Sequence, residues 1–192
     1  MIYWRRLGAE ATDYQPVDPD VFRAAIAHVI EQIDRQGNES VADFTFVDLG
    51  CGKGRALLLA EVYDFKQIVG VDFSARLIRV ASRNAAKARS PRIRVVRGDV
   101  REFDFPPGPL VVFLYNPFSA RITRSVMQRL SSHPDPFYVA YVNPLHADVI
   151  SSLAGAELVA KDDWCMVWRF PGRALAAGAP GAAIPSSSGV LR

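Results

Sequence analysis

Three glycines at alternate positions, Gly50, Gly52 and Gly54, follow an apolar run that covers residues 44–49. The run is rich in β-branched and aromatic residues, which favours a buried strand, and helix-compatible residues follow the glycines at once. A strand, a glycine turn and a helix in this order form half of a nucleotide-binding βαβ unit. Glycines are needed in such a turn because the backbone bends tightly and comes very close to a ligand.

The spacing of the glycines narrows the class of ligand. A dinucleotide fingerprint reads G-x-G-x-x-G and a phosphate loop reads G-x-x-x-x-G-K-[ST], whereas this chain reads G-x-G-x-G with Asp48 two residues ahead. The form acidic-x-G-x-G-x-G resembles motif I of the class I S-adenosylmethionine (SAM)-dependent methyltransferases. The resemblance implies that SAM is the cofactor, that its methionine moiety lies against the turn and that Asp48 orients its ammonium end. The implied contacts in the turn are Gly50, Cys51, Gly52 and Gly54.

A second acidic residue, Asp72, ends the next predicted strand, 24 residues after Asp48. An acid about 20 residues beyond the glycine turn, at the end of the neighbouring strand, is where a pair of ribose hydroxyls is bound. We therefore predict that Asp72 binds the ribose and that Phe73 lies on the adenine face. The alternatives are a helix cap for Asp72, reinforced by Ser74, and a core position for Phe73.

The third predicted strand runs into Gly98, Asp99 and Val100. This stretch resembles the methyltransferase position at which an acid accepts a hydrogen bond from the adenine amino group and the next backbone N–H meets the ring. A carboxylate suits that role because it only accepts hydrogen bonds. The resemblance thus implies cofactor contacts at Asp99 and Val100; an ordinary Gly-Asp turn is the alternative.

The fourth predicted strand, residues 110–115, runs straight into Asn116, Pro117 and Phe118. This stretch resembles motif IV, where the transferred methyl group meets its acceptor. In amino-methylating relatives the motif reads [Asp/Asn/Ser]-Pro-Pro-aromatic; the polar side chain accepts a hydrogen bond from the amine, and the aromatic covers the acceptor. The resemblance implies catalytic roles for Asn116, Pro117 and Phe118, with Asn116 also beside the cofactor.

The motif lacks one of the two prolines, so an adenine of nucleic acid is not favoured as the acceptor. An Asn followed shortly by Phe also resembles the corresponding position of some protein-lysine methyltransferases of this fold. The alternative for this stretch is a strand-ending turn with a core position for Phe118.

The fifth predicted strand, residues 137–142, also ends in Asn-Pro, at Asn143 and Pro144. Two neighbouring strands with the same ending suggest a shared polar mouth. For Asn143 we slightly favour the alternative in which Pro144 lies in the first turn of the next helix. His146 could act as a general base, but we favour a structural role in that first turn.

Positioning these residues requires five strands that alternate with helices, followed by two terminal strands. This order predicts an α/β fold with a doubly wound, mostly parallel seven-stranded sheet and helices on both faces, in a single domain. It resembles the class I methyltransferase fold over about residues 44–170. Small lysine methyltransferases of this fold have an N-terminal segment that folds over SAM, which makes Tyr14 a candidate for a cofactor or substrate contact.

We predict three segments in the chain. Residues 1–40 form an N-terminal segment and a capping helix, and residues 41–170 form the SAM-binding methyltransferase domain. In residues 171–192 Gly, Ala, Pro and Ser dominate, which predicts a disordered tail.

Composition limits the other classes of protein. At 192 residues, 49% hydrophobic and 22% charged, the chain has the composition of a soluble domain with a sizeable core. No apolar run reaches the roughly 18 residues of a membrane span and the N-terminus lacks a secretory signal, so we expect a cytoplasmic protein with no membrane partner. Cys51 and Cys165 have no metal or disulfide spacing; we expect no metal site and two reduced, buried thiols.

Positive charge is concentrated in one segment. Residues 76–101 contain nine basic residues and one acid, whereas the rest of the chain contains 14 basic and 19 acidic residues. Arg76, Arg79, Arg83 and Lys87 recur at helical spacing and would form a basic stripe. For this stripe we favour a solvated helix face over contact with nucleic acid.

Together these patterns predict a methyltransferase that uses SAM to methylate a nitrogen acceptor, either a protein lysine or a small-molecule amine. The alternatives are a SAM-binding scaffold without transfer activity, an O-methyltransferase or an RNA methyltransferase. An NAD-linked oxidoreductase on a similar sheet is disfavoured by the glycine spacing.

Overall fold

The computed structural model describes residues 16–37 and 39–172, which form one α/β domain around a seven-stranded sheet. The strands are β1 (Thr45–Leu49), β2 (Gln67–Asp72), β3 (Ile93–Arg97), β4 (Leu110–Tyr115), β5 (Phe137–Val142), β6 (Glu157–Lys161) and β7 (Cys165–Phe170). The helices are α1 (Pro19–Gln36), α2 (Arg55–Ala60), α3 (Ala75–Ala88), α4 (Ala120–Leu130) and α5 (Ala147–Ser151), with a short 3₁₀ turn at Val41–Asp43.

The strand order across the sheet is β3-β2-β1-β4-β5-β7-β6. The first five strands are parallel, and β7 lies antiparallel between β5 and β6. The last pair is antiparallel because only a short turn joins β6 to β7, whereas parallel neighbours need a long crossover. The predicted fold class is confirmed. The order reverses between β1 and β4, and in such sheets the ligand crevice lies beyond the carboxyl ends of the strands at that point.

Helices cover both faces of the sheet. Side chains of α1 and α2, including Phe22 and Leu57, pack with Phe46 of β1 in one buried apolar cluster. On the other face, Met127 of α4 packs with Val47 of β1 in a second cluster. Successive residues of β1 join different clusters because side chains alternate between the two faces of a strand.

The ends of α1 follow its sequence. The Asp18 side chain caps the helix by accepting hydrogen bonds from the backbone N–H groups of Asp20 and Val21, at 2.8 and 3.4 Å. Pro19 lies in the first turn, where its missing N–H is not needed. Gly37 ends the helix with a φ of 73°, a left-handed conformation that glycine adopts without strain.

One predicted helix is shorter than the sequence indicated. The pattern predicts a helix from Gly54 to about Tyr63, but α2 ends at Ala60. Beyond its end, the Arg92 guanidinium donates hydrogen bonds to backbone carbonyl oxygens, including those of Glu61 and Tyr63 at 2.8 and 2.9 Å. Since these acceptors bind a distant arginine, the chain leaves the helix there.

The interpretation of Pro144 as a helix start is wrong. Helix α5 begins at Ala147, and His146 occupies its N-cap position rather than its first turn. Asn143 has a φ of 51°, which turns the chain sharply after β5. The N–H of Leu145 then donates to the Asn143 carbonyl at 2.9 Å. Pro144 therefore lies in a turn that must be completed before the helix can begin.

Some predictions fall outside the described residues, namely those for Tyr14 and for positions 173–192 of the tail. The division into three segments stays a prediction. Across the two described ranges, the longest apolar helical stretches fall short of what a membrane crossing requires.

Candidate cofactor and acceptor site

The turn after β1 is fixed to the neighbouring strand. The N–H groups of Gly50 and Cys51 both donate to the carbonyl oxygen of Val71, at 2.9 and 3.0 Å. Gly50, Gly52 and Gly54 have φ values of 81°, 55° and 79°, all in the left-handed region. Since a Cβ atom disfavours this conformation, glycine is required at each of the three positions. The predicted strand, glycine turn and helix are present.

Asp72 lies at the end of β2 and reaches back to the glycine turn. Its Oδ2 accepts from the N–H of Gly52 at 3.0 Å, and its Oδ1 accepts from the N–H of Ser74 at 2.8 Å. Each carboxylate oxygen therefore has one protein donor and keeps a lone pair for a hydroxyl donor. Burial raises the pKa of Asp72, and the two N–H groups oppose that shift. The N-cap of α3 is Ser74, which leaves Asp72 outside the capping position.

Asp48 is a buried carboxyl without a donor. Its side chain is 5% exposed, and no hydrogen bond from a described residue reaches it. Burial, followed by the charge of Asp72, raises the pKa of Asp48 to about 8. A buried, unpaired carboxylate is costly, and a cation placed beside it would offset that cost. The residues present therefore fit a ligand with a positively charged end, as SAM has.

Cys51 packs tightly between the turn, β2 and α2. A Cβ atom built on Gly70 would lie 2.9 Å from the Cys51 Sγ and 2.6 Å from Leu57 Cδ1, so the close approach of β2 requires glycine. Burial and then the nearby charges of Asp48 and Asp72 raise the pKa of the Cys51 thiol. A neutral, buried thiol is chemically inert and serves here as a packing group. Cys165 is also free and buried.

Asp99 is bound by a partner that sequence reasoning missed. The N–H of Arg101 donates to Asp99 Oδ1 at 2.9 Å, and the Arg101 Nε lies 3.0 Å from the same oxygen. Hydrogen bonding to the Arg101 side chain lowers the pKa of Asp99, so the carboxyl is ionised. An adenine amino group would therefore share an already bonded carboxylate. Val100 is buried in an apolar cluster, and Phe73 is half-buried.

Asn116 stands at the carboxyl end of β4 in an unusual conformation. Its φ is 39°, which asparagine tolerates better than most residues. The Tyr141 hydroxyl donates to Asn116 Oδ1 at 3.2 Å. Tyr141 comes from β5, where it pairs with Leu114 in the β4–β5 register. Sequence reasoning did not identify Tyr141, because only the register between the two strands places it there.

The acceptor motif lies directly against the glycine turn. A Cβ atom built on Gly50 would approach the Pro117 Cβ to 2.7 Å and two ring atoms of Phe118 to 3.5 Å. Phe118 is 8% exposed and belongs to the apolar cluster that contains Leu49. The structure thus brings the glycine turn into contact with Pro117 and Phe118 of the predicted acceptor motif, with Phe118 packed inward.

The second Asn-Pro turn, at Asn143 and Pro144, lies beside the connection between β6 and β7. The N–H of Asn143 donates to the carbonyl of Trp164 at 2.8 Å, which ties it to the β6–β7 connection. A shared mouth of Asn116 and Asn143 stays a prediction. Within residues 16–37 and 39–172, no group of three or more His, Cys, Asp or Glu side chains is arranged to hold a metal ion.

Comparisons with known proteins agree with this geometry. Residues 46–135 match the family model described as a methyltransferase domain. A search of curated protein sequences gives no match.

Three solved structures illustrate the similarity of fold. An RNA methyltransferase from Salinibacter ruber in complex with S-adenosyl-L-homocysteine has 20% identity and a TM-score of 0.56, covering 81% of this chain and 92% of that one. The ribosomal protein L11 methylase from Lactobacillus delbrueckii subsp. bulgaricus has 18% identity and a TM-score of 0.54, covering 82% and 88%. Magnesium protoporphyrin IX methyltransferase from Synechocystis PCC 6803 with bound SAM has 15% identity and a TM-score of 0.52, covering 87% and 88%.

The sheet order and the match over residues 46–135 identify a SAM-dependent methyltransferase domain of the class I fold. SAM is the cofactor of this class. The three similar structures are named for different acceptors, an RNA, a ribosomal protein and a magnesium porphyrin, so the fold alone leaves the acceptor open.

Proposed function

We propose that this domain methylates a nitrogen acceptor, a protein lysine or a small-molecule amine, at Asn116. The observation that carries the proposal is the hydrogen bond of 3.2 Å from the Tyr141 hydroxyl to Asn116 Oδ1. It fixes an amide oxygen at the carboxyl end of β4, on a motif that packs against the glycine turn. An amide oxygen has two lone pairs and can accept hydrogen bonds from two donors.

The cofactor roles follow from the same geometry. We assign the ammonium end of SAM to Asp48, whose buried carboxyl has no donor among the described residues. The ribose hydroxyls are assigned to Asp72, which keeps one lone pair on each oxygen, and the adenine amino group to Asp99. When bound, SAM supplies a methyl group already made electrophilic by its sulfonium. The protein therefore contributes alignment and exclusion of water.

Asn116 orients the nucleophile. By accepting one N–H of the amine, Oδ1 directs the nitrogen lone pair away from itself and toward the glycine turn. The amine must arrive neutral, and the apolar surroundings that Phe118 shares with Leu49 favour the uncharged form.

The first test is calorimetric titration of the purified protein with SAM, S-adenosylhomocysteine and NAD. We expect saturable binding of SAM and of S-adenosylhomocysteine, and no binding of NAD. No binding of SAM to folded protein would overturn the cofactor assignments. Transfer from methyl-labelled SAM to amine, hydroxyl and carboxyl acceptors then tests the acceptor atom, and label recovered on oxygen would contradict a nitrogen acceptor.

Asp72→Ala should weaken SAM binding by about 1–3 kcal/mol, because a buried hydroxyl pair loses its acceptor. Asp34→Ala is the matched control, since Asp34 is exposed on α1 and forms no ion pair with a described residue. Unchanged SAM affinity in a folded Asp72→Ala protein would remove the ribose assignment.

A further inference from the structure

One edge of the domain carries a dense cluster of positive charge. Six basic side chains on α3 and on the edge strand β3 are all exposed. We call this cluster the α3–β3 basic surface; its members are Arg76, Arg79, Arg83, Lys87, Arg94 and Arg97. The stripe expected from the sequence therefore continues around the edge of the sheet, because β3 adds Arg97 on the face that α3 covers and Arg94 on the opposite face.

These charges are not neutralised within the described residues. None of the six forms an ion pair there, and the acids of the adjoining loops are engaged elsewhere. Glu61 and Asp64 lie 2.9 and 3.6 Å from the Arg92 guanidinium, and Asp99 pairs with Arg101. Like charges at three- and four-residue spacing on a helix repel one another. A solvated face needs no such concentration, whereas a bound polyanion would offset the repulsion.

The surface lacks what a protein partner or a membrane would use. The exposed large apolar residues of the described chain, Val62, Leu145, Leu158 and Trp164, all lie outside residues 75–97. Protein interfaces depend on buried aromatic and aliphatic anchors, and interfacial helices insert an apolar face into lipid. Binding to a phosphodiester backbone needs neither, because neutralised phosphates and released counterions supply its free energy.

The residue types also suit phosphate. Five of the six are arginines, whose planar guanidinium can donate two parallel hydrogen bonds to one phosphate. On α3 they extend along about 16 Å of helix from Arg76 to Lys87. Exposed aromatics for base stacking are missing from residues 75–97, so a helical stem is a better fit than a single strand.

The surface begins at the rim of the site. Arg76 follows Asp72 by four residues, and three strand intervals separate β3 from β4, which is about 14 Å. A nucleic acid on this surface would thus lie within a few nucleotides of Asn116. Folded RNA exposes unpaired bases beside its stems, whereas a base of duplex DNA must first be flipped out of the stack.

We infer that the α3–β3 basic surface binds the stem backbone of a folded RNA and holds it beside the Asn116 rim. Binding of nucleic acid by this surface does not depend on the proposed function. The choice of RNA over DNA does rest on the proposed transfer to nitrogen at Asn116. With RNA held there, the proposed transfer to nitrogen takes a base amine as its acceptor in place of the protein lysine or small-molecule amine proposed above, although the single proline of the motif made a base less favoured.

The test is fluorescence anisotropy with a labelled RNA hairpin whose stem exceeds one helical turn. Binding should weaken steeply between about 50 and 200 mM salt. Arg83→Gln with Lys87→Gln should lower affinity about tenfold at 0.1 M salt, since two phosphate contacts are lost. The control double variant, Lys66→Gln with Lys161→Gln, removes two exposed charges elsewhere and should bind as the unaltered protein does.

A second variant, Arg94→Gln with Arg97→Gln, tests the arginines of β3 if the helix variant does not fold. Circular dichroism and SAM titration check that each variant is folded. Equal weakening by the control variant, or no RNA binding at low salt, would overturn the inference. Tighter binding of poly-glutamate or phosphatidylserine vesicles would replace RNA by another anion and also overturn it. A DNA hairpin of the same sequence that binds equally well would overturn the choice of RNA alone. Failure to bind SAM would count against the proposed function and leave the RNA result standing.

Discussion

Asp48 is the residue at which stability and binding oppose each other. Burial and the charge of Asp72 raise the pKa of Asp48 to about 8, well above the value of about 4 for an unfolded aspartate. The folded state therefore holds this proton more tightly than the unfolded state does. It follows that the contribution of Asp48 to the free energy of unfolding falls as the pH rises from about 4 to about 8.

Asp48→Asn should consequently stabilise the protein without ligand. The gain in the free energy of unfolding should be about 2–4 kcal/mol larger at pH 8 than at pH 5. The same substitution should weaken SAM binding, because the amide carries no charge for the ammonium. Urea unfolding at both pH values measures the first effect and calorimetry the second. Asp34→Asn, at an exposed position of α1, is the control variant. An equal gain at both pH values for Asp48→Asn would mean that this carboxyl titrates normally.

In the proposed function, Tyr141 is a positioning residue that acts through Asn116. Tyr141→Phe removes the donor to Asn116 Oδ1, which should reduce kcat while leaving SAM affinity unchanged, at a loss of about 1 kcal/mol in stability. Turnover with the identified acceptor, together with the side-chain amide signals of Asn116 in NMR spectra, measures both effects.

Tyr138→Phe is the matched control on the same strand. The Tyr138 hydroxyl is buried near the Arg169 side chain and not beside Asn116, so its removal should leave kcat intact. If the two variants behaved alike, the hydrogen bond to Asn116 would have no part in turnover.

At the scale of elements, the loop after β1 and the loop after β4 form one packed unit. Gly50 has a φ of 81°, and a Cβ atom there would lie 2.7 Å from the Pro117 Cβ. A change in the cofactor turn therefore reaches the acceptor motif directly.

Gly50→Ala should lower the free energy of unfolding by about 2–4 kcal/mol, because left-handed strain adds to overpacking against Pro117. It should also weaken SAM binding. Gly108→Ala separates the two causes, since Gly108 has a φ of 89° but open space around it, and should lose only the 1–2 kcal/mol of the strain. Denaturant unfolding checks both, and equal losses would show that Pro117 yields without cost.

At the scale of the whole molecule, one sheet extends across the domain from β3, which belongs to the α3–β3 basic surface, to β6 at the opposite edge. Buried side chains on both faces, among them Phe46 and Val47, link the helices through β1. A ligand bound at the rim should therefore stabilise both ends of the sheet together.

S-Adenosylhomocysteine at about 100 times its Kd should add about 2.7 kcal/mol to the free energy of unfolding, which is roughly 5–10 °C in Tm for a domain of this size. Far-UV and near-UV circular dichroism should report the same shift, the latter including the buried Trp168 of β7. NAD should give none. A shift seen by one probe only would mean that the sheet does not unfold as one unit.

The sequence alone determined the order of elements and the position of the glycine turn. These features are local patterns that can be recognised without coordinates: the alternating strands and helices, the glycines at 50, 52 and 54, and the acids at or next to the ends of β1 and β2. The bounds of β4 and β5 were predicted correctly for the same reason. Two predictions failed. The long helix after Gly54 is ended by contacts with the distant Arg92 guanidinium, and the helix start at Pro144 is delayed by the turn at Asn143, whose φ is 51°.

Only the tertiary structure decided how the side chains are paired. The bond from Tyr141 to Asn116 depends on the β4–β5 register, and the contact of Gly50 with Pro117 depends on two loops that meet at the switch point. The missing donor for Asp48 and the unpaired charges of the α3–β3 basic surface are likewise properties of the assembled sheet. Periodicity along a chain reports which face a residue occupies, but hydrogen bonds and ion pairs form between residues that only folding brings within reach.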